Sequence, residues 1–408
     1  MSDKASGSRW LSRTVLGTGL TSLCSDWSHE MATTILPAFL AVLGAGPGWL
    51  GAIEGVSDGL SSITKLVAGH YTDRLPRRKP LVLFGYMLTA AGTGALALVT
   101  NAAQILVSRA GAWLGRGIRT PGRKTLMAAD VPREAYGRAF GFERMMDTLG
   151  AIGGPLTALG ILEHTHHDYR GVLWWTLVPG SLAVLSYWLL VRERPIGRSV
   201  QASFWHGLRA LPHPFRKFLV AVGIFGMGDF SHTLLILFAT QQLAPSIGMT
   251  RAASLAIGLY TLHNFFYAAS AYLGGWLGDR ARHRNFVLAG GYALAGATAI
   301  LLCASAGRLG ADRMRLLAGL LALSFAMAGT FVGTVEALED SLAAELVPAP
   351  QQGMAFGTLA AVNAVGDLVS SLFVGFLWAN VSVRLAFASA GVLFFSGALL
   401  VLRLRATT

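Results

Sequence analysis

GHYTDR, residues 69–74, ends the second long apolar stretch of this sequence, and GWLGDR, residues 275–280, ends the eighth, 206 residues later. Both segments begin with glycine and close on Asp-Arg, where an apolar run gives way to basic residues. A segment that recurs at the same place relative to successive apolar stretches indicates an internal duplication.

Two further pairs of segments repeat in the same order. DWSH at residues 26–29 matches DFSH at residues 229–232, 203 residues later. AADVP at residues 128–132, before the fifth apolar stretch, matches AAELVP at residues 343–348, before the eleventh. Three matches that recur in the same order, at a nearly constant separation in sequence, predict two related halves with six apolar stretches each.

Composition places these stretches in a membrane. Apolar residues make up 53% of the 408 residues, charged residues only 13%, and mean hydropathy is +0.53. Basic residues collect between the stretches, so the net charge of +12 does not indicate nucleic-acid binding. Cys24 and Cys303 fall inside apolar stretches and give neither a disulfide framework nor a zinc spacing. We therefore expect an integral, multi-pass membrane protein.

Spans of about twenty residues are needed to cross the hydrocarbon. The sequence predicts twelve, near 14–42, 48–72, 80–100, 103–120, 137–162, 172–192, 217–244, 251–278, 286–306, 314–343, 353–379 and 383–402. They divide into an N-terminal six-helix bundle at 1–193, a cytoplasmic linker at 194–216 and a C-terminal six-helix bundle at 217–408. The predicted fold class is all-α, with two pseudo-symmetric bundles around a central cavity that allows alternating access.

The distribution of Lys and Arg predicts the orientation. They are concentrated in alternate loops, those beginning at Arg74, Arg116, Arg192 and Arg280. The intervening loops at 43–48 and 100–102 carry no charge. Because basic loops stay in the cytoplasm, both termini are predicted to be cytoplasmic, and we expect a bacterial cytoplasmic (inner) membrane.

The run GHYTDRLPRRK at residues 69–79 resembles the loop signature between the second and third helices of the major facilitator superfamily (MFS). Its degenerate copy follows the eighth helix, and Pro76 stands where the family usually has glycine. In that family the aspartate lies at the start of a helix of the other half, and the arginines hold the cytoplasmic gate shut. The resemblance therefore implies a secondary transporter with gating roles for Asp73, Arg74, Arg78, Asp279 and Arg280.

The fifth span carries a second resemblance. Gly141, Gly150 and Gly154-Pro155 are spaced as in the signature associated with antiporters of this superfamily. The resemblance implies a gating seam at Gly154 and Pro155 and favours export over import. Ordinary packing of small residues between helices is the alternative explanation.

Ionisable groups inside the spans are candidate site residues, because a charge at mid-bilayer costs at least roughly 2.5–3.5 kcal/mol. Asp26, His29 and Glu30 fall on one face of the first span, and Asp229 and His232 are expected to repeat that arrangement in the seventh. The predicted substrate-binding residues are Asp26, His29, Asp147, Asp229, His232, His263 and Asn264. Few buried cations are expected, so the sequence predicts an acidic interior that favours cations.

Proton coupling is assigned to the first, second and fourth spans. Arg109 resembles the fourth-helix arginine that many proton-coupled members of the family carry. We predict that Asp26 carries the proton and pairs with Arg109, and that Glu30 and Asp58 assist. The alternative is that these acids are held by neighbouring helices and never titrate.

The two Asp-x-x-His units also suggest a metal hypothesis. Imidazole and carboxylate together suit first-row transition ions, so Asp26, His29, Asp229 and His232 form a candidate site, as in ferroportins of the same architecture. A proton relay, or hydrogen bonds to a neighbouring helix, explains the same histidines without a metal.

The sequence thus predicts an MFS-type, proton-coupled exporter of a small cationic or amphipathic solute. A divalent-metal exporter and a non-transporting membrane sensor or assembly partner are the alternatives. No P-loop, dinucleotide motif or nucleophile–base spacing indicates an enzyme or a cofactor. The expected partners are the lipid bilayer, the solute and protons, and the expected state is a monomer.

Overall fold

A computed structural model describes residues 10–45, 47–165, 168–193, 203–306 and 314–404, and all regular secondary structure in these ranges is helical. The α-helices are α1 Arg13–Val42, α2 Pro47–Arg74, α3 Lys79–Ala95, α4 Ala102–Asp130, α5 Tyr136–His164, α6 Tyr169–Trp175, α7 Leu177–Leu190, α8 Phe204–Arg209, α9 His213–Gly226, α10 His232–Ile247, α11 Met249–Arg280, α12 Arg284–Ser305, α13 Met314–Leu346, α14 Gln352–Asn380 and α15 Val383–Leu402.

The prediction of twelve spans is confirmed. Ten spans correspond to single helices, the sixth to α6 followed by α7, and the seventh to α9 followed by α10. Among the described residues, seven segments are long and apolar enough to cross a membrane by length and composition alone. These are Lys79–Leu98, Arg133–His164, Tyr169–Leu190, Arg284–Ser305, Met314–Leu346, Ala349–Asn380 and Val383–Leu402. Other spans, α2 and α4 among them, carry charged side chains inside the helix.

The chain divides into two compact units. Unit 1 comprises Met1–Leu211 and Ala343–Ala361, and unit 2 comprises Pro212–Leu342 and Val362–Thr408. The end of α13 and the beginning of α14 therefore belong to unit 1. The boundaries of the two bundles and of the linker stay a prediction, and residues 194–202 of that linker lie outside the described residues.

Helix α4 is longer than predicted. The sequence placed a basic cytoplasmic loop from Arg116, but α4 continues through Pro121 to Asp130. The expectation failed because clustered arginines and a proline usually end a span. Here Arg119 and Arg123 are buried, Arg116 is half-buried, and all three find acidic or hydroxyl partners on other helices. This segment is therefore not the basic loop that the predicted orientation used.

The seventh span is broken, contrary to the prediction of one helix over 217–244. α9 ends at Gly226, and α10 begins after Ser231, whose side chain accepts a hydrogen bond from the Thr233 amide as the N-cap. The α-carbon of Gly366 on α14 lies against Gly226. Glycines at 226 and 228 weaken the helix and an N-cap serine restarts it, so Asp229 lies in the break.

Helices α1 and α5 pack closely along a seam of small residues. A Cβ atom added at Gly154 would lie 2.6 Å from the Glu30 Cβ and 2.9 Å from the Trp27 carbonyl oxygen. Glycine is therefore required at this position by the close approach of two backbones. The seam places Glu30 and its neighbours on α1 directly against α5.

Substitution of Gly154 by valine is expected to destabilise unit 1, by about 1–3 kcal/mol for overpacking. The rigid α1 backbone leaves no room for the new side chain. Gly160→Val is the matched control, because an added Cβ there meets nothing within 4 Å. Thermal unfolding of the purified protein in detergent measures the effect, and equal midpoints for the two variants would contradict this account of the seam.

Candidate functional site

A row of arginines lies along one face of α4. Arg109, Arg116, Arg119 and Arg123 occupy positions i, i+7, i+10 and i+14, which the 3.6-residue period brings to one side of a helix. Only 1% of Arg109, 4% of Arg119 and 7% of Arg123 is exposed. Unit 1 thus contains a buried row of positive charge, which we call the α4 arginine row.

Carboxylates from three other helices pair with this row. Arg116 Nη2 lies 3.1 Å from Asp26 Oδ1 of α1, Arg109 Nη2 lies 3.0 Å from Glu54 Oε1 of α2, and Arg123 Nη2 lies 2.7 Å from Glu143 Oε1 of α5. Arg119 donates to Ser25 Oγ at 2.6 Å and stacks over the Tyr86 ring at 4.1 Å. The ion pairs join α1, α2, α4 and α5.

These contacts correct two predictions for unit 1. The predicted partner of Asp26, Arg109, is wrong, because Asp26 pairs with Arg116 and Arg109 pairs with Glu54. The expectation of few buried cations is also wrong, since the α4 arginine row lies inside the unit with Lys124, which is 8% exposed. The helical spacing of the arginines is the signal that would have revealed this row.

The remaining predicted residues of α1, α2 and α5 lie around this row. His29 is buried, packs edge-on against Trp113 at 5.1 Å, and lies 3.4 Å from Thr33 Oγ1. Glu30 is half-buried and lies within the electrostatic influence of both Asp26 and Arg116. Asp147 lies 3.2 Å from Arg144, and Asp58 is exposed.

Unit 2 has a different electrostatic character. Asp229, in the break between α9 and α10, interacts electrostatically with Glu336 and Glu339 of α13 and with the exposed Asp367 of α14. Glu339 is 3% exposed and accepts hydrogen bonds from Tyr292 Oη at 2.6 Å and Asn363 Nδ2 at 2.9 Å. We call these four acids the unit 2 carboxylate cluster.

The break also makes the two Asp-x-x-His units structurally different. Asp26 and His29 lie on one continuous helix, whereas Asp229 precedes α10 and His232 is its first residue. The Ser370 hydroxyl donates to the Asp229 carbonyl oxygen at 2.6 Å, which satisfies backbone exposed by the break. The prediction that unit 2 repeats the helical arrangement of unit 1 is therefore wrong.

Rings from α10 and α11 form a stack beside the break. His232 stacks on Tyr260 with ring centroids 4.9 Å apart, and Tyr260 stacks on His263 at 5.4 Å. His263 Nδ1 lies 3.2 Å from Asn264 Oδ1, and the Tyr267 hydroxyl donates to Glu336. The predicted residues His232, His263 and Asn264 thus lie close together in unit 2 and connect to the carboxylate cluster.

Two predicted gate residues, Asp73 and Arg78, form hydrogen bonds with backbone groups at helix ends. Asp73 accepts hydrogen bonds from the backbone amides of Gly353 at 2.8 Å and Met354 at 2.7 Å, at the beginning of α14. This is a favourable place for a carboxylate, because the amides there are free and the helix dipole is positive. Arg78 lies 3.9 Å from Asp73 and donates to the Thr72 carbonyl oxygen at 2.9 Å.

The predicted gate residues Arg74, Asp279 and Arg280 lie at the ends of α2 and α11, next to the loop that contains Arg78 or near Arg284. Burial lowers the pKa of the Arg78 guanidinium, and the carboxylates of Asp73 and Glu193 act against that shift. Asp279 forms a 2.9 Å ion pair with Arg284, and Arg280 stacks over the Trp276 ring at 3.9 Å. Arg74 is half-buried at the end of α2. The gating roles, including those of Gly154 and Pro155, stay predictions.

Metal ligation was predicted for Asp26, His29, Asp229 and His232. Asp26 is engaged by Arg116, and His232 by the ring of Tyr260. In the part of the chain that the structure describes, no group of three or more His, Cys, Asp or Glu side chains is arranged to hold a metal ion.

Comparisons with known proteins agree on the family. The sequence model of the Major Facilitator Superfamily matches residues 18–242 and 218–408. An uncharacterized MFS-type transporter of Methanocaldococcus jannaschii is 28% identical over 394 residues, covering 97% of this chain and 95% of that protein. A gallate transporter of Pseudomonas putida is 27% identical over 435 residues, covering 96% of this chain and 89% of that protein.

A solved structure supports the fold. A bacterial homologue of the iron transporter ferroportin, in an outward-facing state, superimposes with a TM-score of 0.74 at 13% identity, over 96% of this chain and 99% of that one. At this identity the likeness concerns the fold alone. Together with the match of the family's sequence model to both halves, it shows that this protein belongs to the Major Facilitator Superfamily of membrane transporters.

Proposed function

We propose that this protein is a secondary active transporter that exports a small cationic or amphipathic solute in exchange for protons, by alternating access. The observation that carries the proposal is the unit 2 carboxylate cluster beside the α9–α10 break. Four acids that three spans contribute to one region of unit 2 are costly unless they hold a proton or bind a cation. A transporter of cations has a use for such a cluster.

The aromatic stack adds to this proposal. The rings of His232, Tyr260 and His263 lie next to the break, and aromatic side chains are a common component of sites for organic cations. Carboxylates fix the charge of a solute while aromatic faces accept its apolar part, and pockets for amphipathic ligands combine these two features. The proposed solute is therefore a compact organic cation rather than a sugar.

Unit 1 supplies the proposed coupling element. Asp26 is 6% exposed and pairs with Arg116, while Asp147 and Glu30 contribute further negative charge around Arg116. A proton on Asp26 removes its attraction for Arg116, so the arginine is free to shift towards the other acids. We keep Asp26 as the proposed proton carrier, with Arg116 instead of Arg109 as its switch partner.

A second candidate is transport of a small aromatic carboxylate. The specific observation is the α4 arginine row, because arginine binds carboxylates in bidentate geometry. The gallate transporter of Pseudomonas putida, similar over 96% of this chain, is named for such a compound. Each of Arg109, Arg116 and Arg123 already holds a protein carboxylate, which makes this candidate the weaker one.

Transport by proteoliposomes tests the proposal. Vesicles with an acidic lumen should accumulate 1-methyl-4-phenylpyridinium, a small aromatic cation, and should lose it when an uncoupler removes the pH gradient. Asp26→Asn should reduce the gradient-driven accumulation at least roughly tenfold, which corresponds to about 1.4 kcal/mol. The reason is that the variant loses both the proposed proton site and the ion pair with Arg116. Glu163→Gln, an exposed acid at the end of α5, is the control.

The same vesicles separate the alternatives. Accumulation of gallate but not of the pyridinium would favour the carboxylate candidate, and movement of Mn²⁺ alone would favour a metal exporter. If Asp26→Asn remains fully active and fully driven by the gradient, Asp26 is not the proton carrier.

A further inference from the structure

An apolar groove runs along the outer surface of unit 1 between α3 and α7. It has a volume of about 1030 Å³ and is lined by Leu83, Met87, Ala91, Leu182, Leu185 and Trp188, among others. Met87, Leu182, Leu185 and Trp188 are each between 45% and 59% exposed. We call this feature the α3–α7 groove. Its lining includes neither the arginines of the α4 arginine row nor the gate residues.

The length of the groove matches that of an acyl chain in one leaflet. The lining on α7 extends from Leu177 to Trp188, which is roughly 17 Å along the helix axis. One leaflet occupies about half of a hydrocarbon core about 30 Å thick, so the groove is as long as one leaflet is deep. Trp188 lies at one end, where an aromatic side chain suits the boundary with the headgroups.

Positive charge stands at that end of the groove. Lys79 Nζ donates to the carbonyl oxygens of Trp188 at 2.7 Å and Val191 at 2.6 Å, and Arg13 Nη2 donates to the Leu189 carbonyl oxygen at 3.0 Å. A lysine ammonium has three donors, so Lys79 retains one for another acceptor. Arg13 is exposed and has further guanidinium donors.

One carboxylate shares this end of the groove. Glu193 Oε1 accepts from the backbone amides of Lys79, at 3.1 Å, and of Arg78. Its carboxylate is thus bound to backbone amides. Lys79 and Arg13 donate to carbonyl oxygens at the end of α7, where the helix dipole favours cations. The two basic side chains are fixed beside the mouth of an acyl-sized groove.

We propose that the α3–α7 groove binds one acyl chain of an anionic phospholipid whose phosphate contacts Lys79 and Arg13. The apolar lining accepts the chain, and the fixed pair of cations selects a lipid with net negative charge over a zwitterionic one. The site belongs to the surface of unit 1 and does not depend on the solute that the protein transports.

Native mass spectrometry of the purified full-length protein tests this proposal. After delipidation and incubation with matched phosphatidylglycerol and phosphatidylcholine, the wild type should retain the anionic lipid roughly tenfold better. Lys79→Ala with Arg13→Ala should remove that preference. Arg216→Ala with Lys217→Ala, two exposed cations at the beginning of α9, should leave it unchanged.

A second variant tests the groove itself without changing any charge. Ala91→Phe should fill the groove and reduce retention of phosphatidylglycerol, whereas Ala103→Phe, at an exposed alanine on α4, should not. Equal retention of the two lipids by the wild type would overturn the proposal. So would unchanged retention of phosphatidylglycerol in Ala91→Phe, or an unchanged preference in the double alanine variant.

Discussion

Arg123→Ala is expected to lower the free energy of unfolding by about 3–5 kcal/mol, the loss typical when one partner of a buried ion pair is removed. Glu143 is 1% exposed, and Arg123 is its ion-pair partner at 2.7 Å. The Ser22 hydroxyl also donates to Glu143 Oε1 at 2.6 Å, but a hydroxyl does not neutralise the charge. The variant therefore removes the ion-pair partner of a buried carboxylate, which keeps only the weaker attraction of Arg144 and Lys124.

The midpoint of thermal unfolding in detergent measures this effect. Arg216→Ala, an exposed arginine on α9, is the control and should unfold close to the wild type. Arg123→Met combined with Glu143→Leu removes both charges and should recover most of the loss, because apolar residues of similar size replace a buried ion pair at little cost. If the double variant is as unstable as Arg123→Ala, packing of the arginine rather than charge pairing stabilises this region.

Asp229→Asn is expected to reduce cation transport at least roughly tenfold, since a carboxylate that contacts a desolvated cation contributes more than 1.4 kcal/mol. The substitution keeps the shape of the side chain and the backbone of the break, which Ser370 supports. It replaces one of the four carboxyl groups of the unit 2 carboxylate cluster by an amide, which carries no charge and takes up no proton. The variant should therefore bind the solute more weakly, with a smaller effect on the free energy of unfolding.

Equilibrium binding of the radiolabelled pyridinium, together with its uptake into proteoliposomes, measures this loss. Glu163→Gln is again the matched control, because it neutralises an exposed acid in unit 1. Asn363→Ala offers a graded test, as it removes a 2.9 Å hydrogen bond to Glu339 without changing any charge. Wild-type binding by Asp229→Asn would remove the carboxylate cluster from the proposed solute site.

The repeats and the apolar stretches were sufficient to predict the fold. A duplicated Asp-Arg segment at the end of the second and eighth stretches, with spans of about twenty residues between polar loops, predicts twelve helices in two halves. That inference succeeds because the bilayer imposes one length and one kind of secondary structure on every crossing. It needs no knowledge of which helices are neighbours.

The candidate site was predicted only in part. The sequence identified Asp26, Asp229, Glu30 and the histidines as unusual residues within spans, and the structure brings His232, His263 and Asn264 together as neighbours. It did not predict that Asp229 lies in a helix break, although Gly226, Gly228 and Ser231 were signals of one. The DFSH segment is similar to DWSH of the first span, which is one continuous helix, and this similarity favoured the prediction of an unbroken seventh span.

The sequence by itself determined the class of protein, the number of spans and the presence of costly charges inside them. Only the tertiary structure decided which charges meet: Asp26 with Arg116, Arg109 with Glu54, and Glu143 with Arg123. The reason is physical. Hydropathy and helical period are local properties of a chain, whereas an ion pair depends on the relative placement of two helices, which packing seams such as that of α1 and α5 establish.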